Sequence, residues 1–510
     1  MDPASYTTIE NIHKAHAIVN ETFHSGRTLP IAFRQKLLAS LVYMLKDNTD
    51  ALCAALQADL HRHALETILS DIGIIISETV NAYNHVQAWA KDIKPPTLLT
   101  YQTMNLRIKP SPKGAVLIIS PFNYPIFLTL LPVVAALSAG CTVVLKLPES
   151  MATSSPLLAD LIAKYVDPGV VQVVQGAAKE ASKLLDLKWD HIFFTGSERI
   201  GRIVATAAAK HTTPVTLELG GKCPVIIDPR GADFSLIGRR ILWGKTCNGG
   251  QACVAPDYVL VPRSSQDALI AGLQKAYKEL FPTSATTSDS YARIVTQGAT
   301  SRIKGYLDNT KGDIVIGGQV DTQTRFIEPT VVSNVGAGDS TMQDEIFGAL
   351  LSLVPVDTLE DAIKFVSERP QPLALYVFSQ NSEFKKQVTD RTRSGSIVFN
   401  DVLIQVGAPG LPFGGSGSSG YGSQKGKFGF DTFTHMRASM DVPGWIERFM
   451  AFRYPPYTKR KQAIALKTVN IALPFDRDGK RLFNFTRWFT VSFIVLLMAV
   501  AYRIKYMGWA

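Results

Sequence analysis

Short apolar runs alternate with stretches of helical spacing between residues 105 and 227, and this alternation constrains the fold more than any other feature. The runs lie at 114–119, 142–146, 170–174 and 191–194. Strands of near-continuous apolar character that are separated by helices predict a parallel sheet with helices on both faces. Similar runs at 258–261, 313–316 and 373–378 lead us to expect a second α/β region.

Residues 8–93 are predicted to be mostly helical, because apolar side chains recur there at helical spacing, and Pro95-Pro96 ends this region. A chain of 510 residues favours two or three domains over one. The five cysteines include no CxxC pair, which argues against a disulfide framework or a metal site and for a reducing compartment.

The net charge of +10 is concentrated at the end of the chain. Residues 441–510 hold twelve Lys or Arg and four Asp or Glu, so the first 440 residues carry a net charge of only +2. A nearly neutral body is not a nucleic-acid-binding surface, and we expect no nucleic-acid partner.

The basic tail contains fifteen uncharged residues, Trp488–Tyr502, between Arg487 and Arg503. As a helix this stretch spans roughly 22 Å, short of a bilayer core of about 30 Å, and a buried C-terminal helix is the alternative. Aromatic ends and basic flanks favour a single-pass membrane anchor over 487–510. Most of the nearby positive charge precedes the span, which predicts a cytosolic body. The charge does not specify the membrane: we expect the endoplasmic reticulum, with the mitochondrial outer membrane, peroxisome and lipid droplet left open.

Cys253 is the candidate nucleophile, in the run Asn248-Gly249-Gly250-Gln251-Ala252-Cys253. A thiol can attack a carbonyl once it is deprotonated. The default for any single cysteine is an inert core residue, which we expect for Cys53, Cys141, Cys223 and Cys247.

Two groups precede it as candidate partners. Glu218 lies between Leu217 and Leu219, and partial burial would raise its pKa towards the range of a general base. The alternative is a carboxylate satisfied by the amides of Gly220 and Gly221. Asn123 follows a predicted strand, where its amide could stabilise an oxyanion.

A glycine turn, Thr195-Gly196-Ser197 followed by Gly201, ends a strand run and opens a predicted helix. Amides at such a helix start favour a phosphate, although the spacing is not GxGxxG and a turn without a ligand is the alternative. Lys146 and Glu149 follow another strand, where they could bind the hydroxyls of a ribose or form a solvated surface pair.

Taken together and in this order, these segments resemble the aldehyde dehydrogenase superfamily over about residues 10–440. The matching segments are Pro121-Phe122-Asn123, Lys146-Leu147-Pro148-Glu149, Phe194-Thr195-Gly196-Ser197, Leu217-Glu218-Leu219-Gly220-Gly221-Lys222, Gly250-Gln251-Ala252-Cys253, Glu345-Ile346-Phe347-Gly348 and Pro412-Phe413-Gly414-Gly415. The segment from Cys253 to Tyr258 and the later Arg453-Tyr454-Pro455-Pro456-Tyr457 look most like the fatty-aldehyde branch, which often ends in a membrane-spanning tail.

The resemblance implies a mechanism in which Cys253 attacks an aldehyde, Asn123 holds the oxyanion and Glu218 activates water for thioester hydrolysis. It also implies an NAD cofactor, with NADP left open because Leu147-Pro148 departs from the usual Pro-Ser. The cofactor-binding residues that it implies are Lys146, Glu149, Thr195, Gly196, Ser197, Gly201, Glu345 and Phe347.

The resemblance further implies an α/β fold with a Rossmann-type cofactor domain, an α/β catalytic domain, an oligomerisation arm of a homodimer and a C-terminal transmembrane helix. The expected boundaries are 1–223, 224–400, 401–440, 441–486 and 487–510. The expected activity is NAD(P)-dependent oxidation of medium- to long-chain aldehydes. Aromatic aldehydes and a catalytically silent membrane scaffold are the alternatives, and a CoA-acylating enzyme is disfavoured because such enzymes typically lack a carboxylate at position 218.

Overall fold

The computed structural model describes residues 5–469 and 473–482, and the chain divides into two compact units. The larger unit comprises Met1–Lys94 and Arg107–Ala438, and the smaller comprises Pro95–Leu106 and Ser439–Ala510. The predicted anchor at 487–510 lies outside the described residues.

Fifteen α-helices lie in the described part of the larger unit. They are α1 (Ile9–His24), α2 (Ile31–Asp47), α3 (Thr49–Leu60), α4 (Ala64–Thr67), α5 (Gly73–Trp89), α6 (Phe127–Ala139), α7 (Ser154–Tyr165), α8 (Ala178–Asp186), α9 (Glu198–Ala209), α10 (Phe234–Thr246), α11 (Gln266–Leu280), α12 (Gln297–Asn309), α13 (Leu359–Ser367), α14 (Ser382–Arg391) and α15 (Gly426–Thr432). A π-helical turn, Ile68–Ile72, joins α4 to α5.

The strands follow the same chain order. They are β1 (Arg107–Pro112), β2 (Ala115–Ile119), β3 (Thr142–Lys146), β4 (Val171–Val174), β5 (His191–Thr195), β6 (Val215–Glu218), β7 (Cys223–Ile227), β8 (Pro256–Pro262), β9 (Asp313–Ile316), β10 (Val320–Asp321), β11 (Phe326–Ile327), β12 (Thr330–Ser333), β13 (Leu350–Val356), β14 (Ala374–Phe378), β15 (Ser396–Phe399), β16 (Gly420–Tyr421) and β17 (Thr434–Ser439). All seven predicted apolar runs form strands, namely β2, β3, β4, β5, β8, β9 and β14.

The first large sheet has the order β16-β6-β5-β2-β3-β4, and its strands are parallel except β16. The chain runs from β2 to β3 and β4 on one side and returns through β5 and β6 on the other. This reversal opens a crevice beyond the carboxyl ends of β2 and β5, where doubly wound folds bind nucleotides. Buried side chains fill β2, β3 and β5 completely, as expected for strands with helices on both faces.

The second large sheet has the order β15-β14-β7-β8-β13-β12-β9, and only β9 runs antiparallel. Four residues link β6 to β7, so the carboxyl end of a strand in the first sheet leads directly to the amino end of a strand in the second. The glycine-rich segment after Pro412 contains β16, which pairs with β6 at Glu218.

The smaller unit contains α16 (Glu447–Met450) and α17 (Lys459–Val469), and Asp441 N donates a hydrogen bond to Met104 O within it. Among residues 5–469 and 473–482, no helix is long and apolar enough to cross a bilayer.

Candidate active site

Cys253 lies half-buried in the turn that leads into β8. Burial raises the pKa of its thiol, and the nearby carboxyl groups of Glu345 and Glu218 raise it further. The side chain is therefore a protonated thiol at neutral pH. The turn depends on Gly250, which has φ +80° and whose added Cβ would lie 2.3 Å from the carbonyl carbon of Gly348. The backbone of Cys253 is fixed by Cys223, whose thiol donates to the Cys253 carbonyl oxygen at 3.3 Å.

Glu218 ends β6 and is only 2% exposed. Neither carboxylate oxygen has a hydrogen-bond partner within the described part of the chain. Desolvation therefore raises the pKa of Glu218 well above its ordinary value, in the direction predicted for a general base. The alternative, a carboxylate bonded to the amides of Gly220 and Gly221, is not what the structure shows, because the Gly221 amide serves Glu345 instead.

Glu345 brings a second carboxylate to the same place. An added Cβ on Gly220 would lie 2.2 Å from its Oε2, so the carboxylate packs directly on the link between β6 and β7. Burial and the charge of Asp257 raise the pKa of Glu345 to about 8. Glu345 and Glu218 both raise the pKa of Cys253, which indicates that two carboxyl groups lie near the thiol.

Asn123 lies in the loop between β2 and α6 and is 3% exposed. Its backbone carbonyl oxygen accepts a hydrogen bond from Asn248 Nδ2 at 2.7 Å. The side-chain amide of Asn248 also donates to Gln251 O at 3.2 Å. The side chain of Asn248 therefore joins the loop that carries Asn123 to the turn that carries Cys253. The three predicted catalytic residues thus come from loops and strand ends that meet at one place.

The crevice at the end of the first sheet holds most of the predicted cofactor residues. Lys146 Nζ lies 2.5 Å from Glu149 Oε2, and the lysine side chain is 6% exposed against 44% for the glutamate. The lysine is therefore not a solvated surface group, whereas the side chain of Glu149 is exposed. Phe347 has φ +52° and packs edge-on against Phe122 with ring centroids 5.7 Å apart.

The predicted glycine turn lies between β5 and α9. Gly196 N donates to Glu218 O at 3.0 Å, and an added Cβ on Gly196 would lie 2.6 Å from the ring of Phe194. Gly201 packs on Leu219, where an added Cβ would lie 2.8 Å from Cδ2. Ser197 occupies the N-cap position of α9 but makes no capping hydrogen bond. A backbone turn at a helix start, at the same edge of the sheet as a lysine–glutamate pair, fits the phosphates and ribose of a dinucleotide.

A cavity of about 580 Å³ leads to Cys253. Six aromatic side chains form much of its wall, namely Tyr124, Phe127, Trp243, Phe281, Tyr291 and Phe413. Leu65, Leu69 and Ile404 also line the cavity and are more than half exposed, so its apolar lining continues to the surface. A cavity of this size and character suits an apolar ligand.

Two features of the site escaped the sequence analysis. Lys245 is 1% exposed, and burial lowers the pKa of its amine to about 8 beside Asp257, Lys222 and Glu345. The sequence indicates its place in the site only through its position in α10, eight residues before Cys253. Tyr376 Oη donates to Val254 O at 2.6 Å and accepts from Gln405 Nε2 at 3.2 Å, which holds the turn of Cys253 against the loop at 403–406. No sequence pattern indicates that contact.

These observations define a thiol-dependent oxidoreductase with a dinucleotide crevice, and comparison with known proteins identifies the class. The model of the aldehyde dehydrogenase family matches residues 3–439, and the chain belongs to that family, which uses NAD(P). Its sequence relatives include proteins named as members of aldehyde dehydrogenase family 3. Human aldehyde dehydrogenase family 3 member B1 is 42% identical over 448 residues, which cover 88% of this chain and 95% of the relative.

Two further likenesses are informative. Beta-apo-4'-carotenal oxygenase of Neurospora crassa is 38% identical, covering 94% of this chain and 90% of the relative. A structure described as the substrate-bound state of Staphylococcus aureus AldH superposes with a TM-score of 0.86 at 35% identity, covering 91% of this chain and all of that one.

Proposed function

We propose that this enzyme oxidises medium- to long-chain fatty aldehydes to free carboxylic acids with NAD(P). The observation that carries the proposal is the apolar cavity leading to Cys253, whose lining extends to exposed Leu65, Leu69 and Ile404 at its mouth. An alkyl chain that leaves the cavity would still meet an apolar surface. The name of the Neurospora crassa relative, a carotenal oxygenase, likewise points to an elongated apolar aldehyde.

The site residues divide the chemistry among themselves. Cys253 Sγ attacks the aldehyde carbon while its proton passes to a neighbouring carboxylate, and the amide of Asn123 with the Cys253 backbone N–H stabilises the oxyanion. NAD(P), when bound along Lys146, Glu149, the turn at 195–201, Glu345 and Phe347, supplies the hydride acceptor. Glu218 then takes a proton from water, which cleaves the Cys253 thioester and releases the acid. The balance is one aldehyde, one water and one oxidised cofactor to one acid, one reduced cofactor and one proton.

A substrate series tests the chain-length assignment. Each additional CH2 buried in the cavity should contribute about 0.8 kcal/mol, which is about fourfold in kcat/KM, until the apolar wall is used up. Aldehydes from hexanal to octadecanal, with benzaldehydes alongside and with NAD and NADP in turn, should show this rise. A flat series with a higher kcat/KM for benzaldehydes would favour aromatic aldehydes, which the aromatic walls could also accept.

A rim substitution sharpens the same test. Leu69→Ser removes an exposed leucine at the cavity mouth, and Leu29→Ser removes a leucine of similar exposure that does not line the cavity. Leu69→Ser should lower kcat/KM for the longest aldehydes severalfold and leave hexanal unchanged, whereas Leu29→Ser should change neither. Equal effects of both variants on all chain lengths would contradict a role for the rim.

Membrane attachment through 487–510, with a cytosolic body on the endoplasmic reticulum, belongs to the same proposal. Its supports are the uncharged stretch Trp488–Tyr502 and its basic flanks. A chain that ends before Arg487 should be soluble and fully active. Sedimentation of this shortened enzyme with membranes would contradict the anchor.

We also propose a homodimer. Strand β15 lies at an edge of the second sheet with its side chains only partly buried, and β17 presents an exposed face beside β1. Open strand edges are surfaces on which a second copy can pair. Light scattering on the shortened enzyme should give twice the chain mass, and a monomeric mass at micromolar concentration would refute it.

A further inference from the structure

Arg62 is a completely buried arginine, and all three groups of its guanidinium have partners. Nη1 donates to the carbonyl oxygen of Asn123 at 3.1 Å, Nη2 forms an ion pair with Asp71, and Nε donates to Thr67 Oγ1 at 3.4 Å. The guanidinium also lies 5.2 Å from the ring centroid of Tyr124, which follows Asn123 in the chain. A buried charge with this many partners fixes the groups that it contacts.

Asp71 fixes the end of the loop that carries Asn123. It is 0% exposed, and its Oδ1 accepts a hydrogen bond from Phe127 N, the first residue of α6, at 2.6 Å. The loop at 120–126, which we call the oxyanion loop, is therefore held in its middle by Arg62 and at its end by Asp71. Both side chains come from the α3–α5 region, which also contributes Leu65 and Leu69 to the cavity wall.

Asn248 supplies a second donor to the same carbonyl oxygen. Its backbone has φ +51°, its N–H donates to Glu66 Oε1 at 2.5 Å, and its side chain reaches Asn123 O from the side of the Cys253 turn. Two donors from opposite sides thus converge on the peptide that bears the Asn123 side chain.

We propose that Arg62 is a positioning residue for the oxyanion hole, which sets the place of the Asn123 amide through the Asn123 carbonyl. The proposal rests on the role given to Asn123 in the proposed function. An oxyanion donor works because it is fixed in advance where negative charge develops, and one such donor contributes about 10²- to 10³-fold in rate. Displacement of a reacting group by about 1 Å can cost about 10²-fold. Loss of the Arg62 contacts should therefore slow the formation of the adduct between Cys253 and the aldehyde, without weakening the binding of aldehyde or cofactor.

The test uses Arg62→Lys in the full-length enzyme. A lysine keeps the charge beside Asp71, but a single ammonium cannot reproduce the guanidinium fork towards Asp71, Asn123 and Thr67. The single-turnover rate constant of NADH formation at saturating substrates should fall about 10- to 100-fold. The Kd for aldehyde, taken from the concentration dependence of that rate constant, and the Kd for the cofactor should stay within about twofold of the parent. The amplitude of that turnover counts intact sites, so partial unfolding is separated from slow chemistry.

The matched control is Arg34→Lys. Arg34 is also buried, and it donates to the carbonyl oxygens of Thr28, Leu29 and Ser138, none of which belongs to the site. This variant should lower the melting temperature comparably and leave the rate constant unchanged. A similar rate loss in both variants would show that any damaged buried arginine slows the enzyme and would overturn the proposal.

A double-mutant cycle with Asn123→Ala decides the mechanism. If Arg62 acts through the Asn123 amide, adding Arg62→Lys to Asn123→Ala should change the rate less than about twofold. A full additional loss in that background would refute the positioning role while leaving the proposed function intact. An Asn123→Ala enzyme with an undiminished rate would instead refute the assignment of Asn123 itself.

Asn248→Gly gives a second arm of the test. Glycine tolerates the positive φ and keeps the backbone N–H for Glu66, so the substitution removes only the side-chain amide, with its hydrogen bonds to Asn123 O and Gln251 O. The loss of rate should again be smaller in the Asn123→Ala background than alone. Equal losses in the two backgrounds would contradict convergence of the two donors on Asn123.

Discussion

Replacement of Glu218 by glutamine isolates the step that makes this enzyme hydrolytic. The substitution is nearly isosteric, and since neither carboxylate oxygen has a partner in the described structure, it breaks no hydrogen bond. The variant should still form one equivalent of NADH per site in a burst, because Glu345 remains beside Cys253 to accept its proton and oxidation does not need the base that activates water. Steady-state turnover should fall about 10²- to 10⁴-fold, the usual contribution of a positioned general base, which corresponds to about 3–5 kcal/mol in activation free energy.

The pH dependence follows from the direction of the pKa shift. Because burial raises the pKa of Glu218, its ionised fraction should rise tenfold per pH unit until that pKa is reached. Thioester hydrolysis in the parent enzyme should therefore rise with pH and then level off. The Glu218→Gln variant should show no such rise.

Stability should change in the opposite sense. A carboxyl group whose pKa is higher folded than unfolded contributes stability below the unfolded value of about 4.3, and this contribution is lost as pH rises towards the folded value. Glu218→Gln should therefore gain stability over the parent by about 1.4 kcal/mol per pH unit across that window, up to the folded-state pKa. Melting temperatures of both proteins from pH 5 upwards measure the difference.

Stopped-flow recording of NADH with an aldehyde in excess, at several pH values, covers the kinetic part. Loss of the burst in Glu218→Gln would refute the reasoning, because it would place Glu218 in the acylation half of the reaction. A stability difference independent of pH would refute the claim that the buried carboxylate is uncompensated.

The remaining predictions concern glycines at close contacts. Gly250→Ala should abolish the NADH burst, because the new methyl group would lie 2.3 Å from the Gly348 carbonyl carbon at a φ of +80°, and single-turnover kinetics measure the loss; a normal burst would show that the turn need not be tight. Gly238→Ala in α10 should destabilise the protein by about 1–3 kcal/mol, because its Cβ would lie 2.6 Å from the Gly272 backbone of α11, and thermal melting measures this. The control is Gly305→Ala in α12, where an added Cβ meets nothing within 4 Å, so it should leave the protein unchanged or stabilise it by up to about 1 kcal/mol; equal melting shifts would contradict the contact argument.

The fold could be predicted where hydrophobic pattern alone determines it. Strands such as β2 and β3 are buried on both faces and therefore appear in the sequence as unbroken apolar runs. Strands β6 and β7 were not predicted as strands, because a glutamate and a glycine pair interrupt the pattern at their junction. That interruption is where the chemistry lies, and local rules are broken most often at functional sites.

The sequence predicts the residues of the candidate site that stand in motifs, but not the buried side chains that hold those residues in place. Cys253, Glu218 and Asn123 stand in segments that resemble a family, whereas Arg62 precedes Asn123 by sixty-one positions and Tyr376 follows Val254 by one hundred and twenty-two. Buried side chains that serve a distant backbone carbonyl leave no periodic signal, so only the folded chain reveals them.

The link from Glu218 to Cys223 explains why the thiol and the base meet at all. The first sheet presents the carboxyl ends of its strands, where a nucleotide crevice forms, and the second presents the amino ends of β7 and β8 to the same place. A four-residue connection forces these two edges together, and Gly220 is required because the Glu345 carboxylate occupies the space of a side chain there. Thiol, base and cofactor crevice are therefore consequences of one short junction between two sheets, and substitutions at that junction should affect all three together.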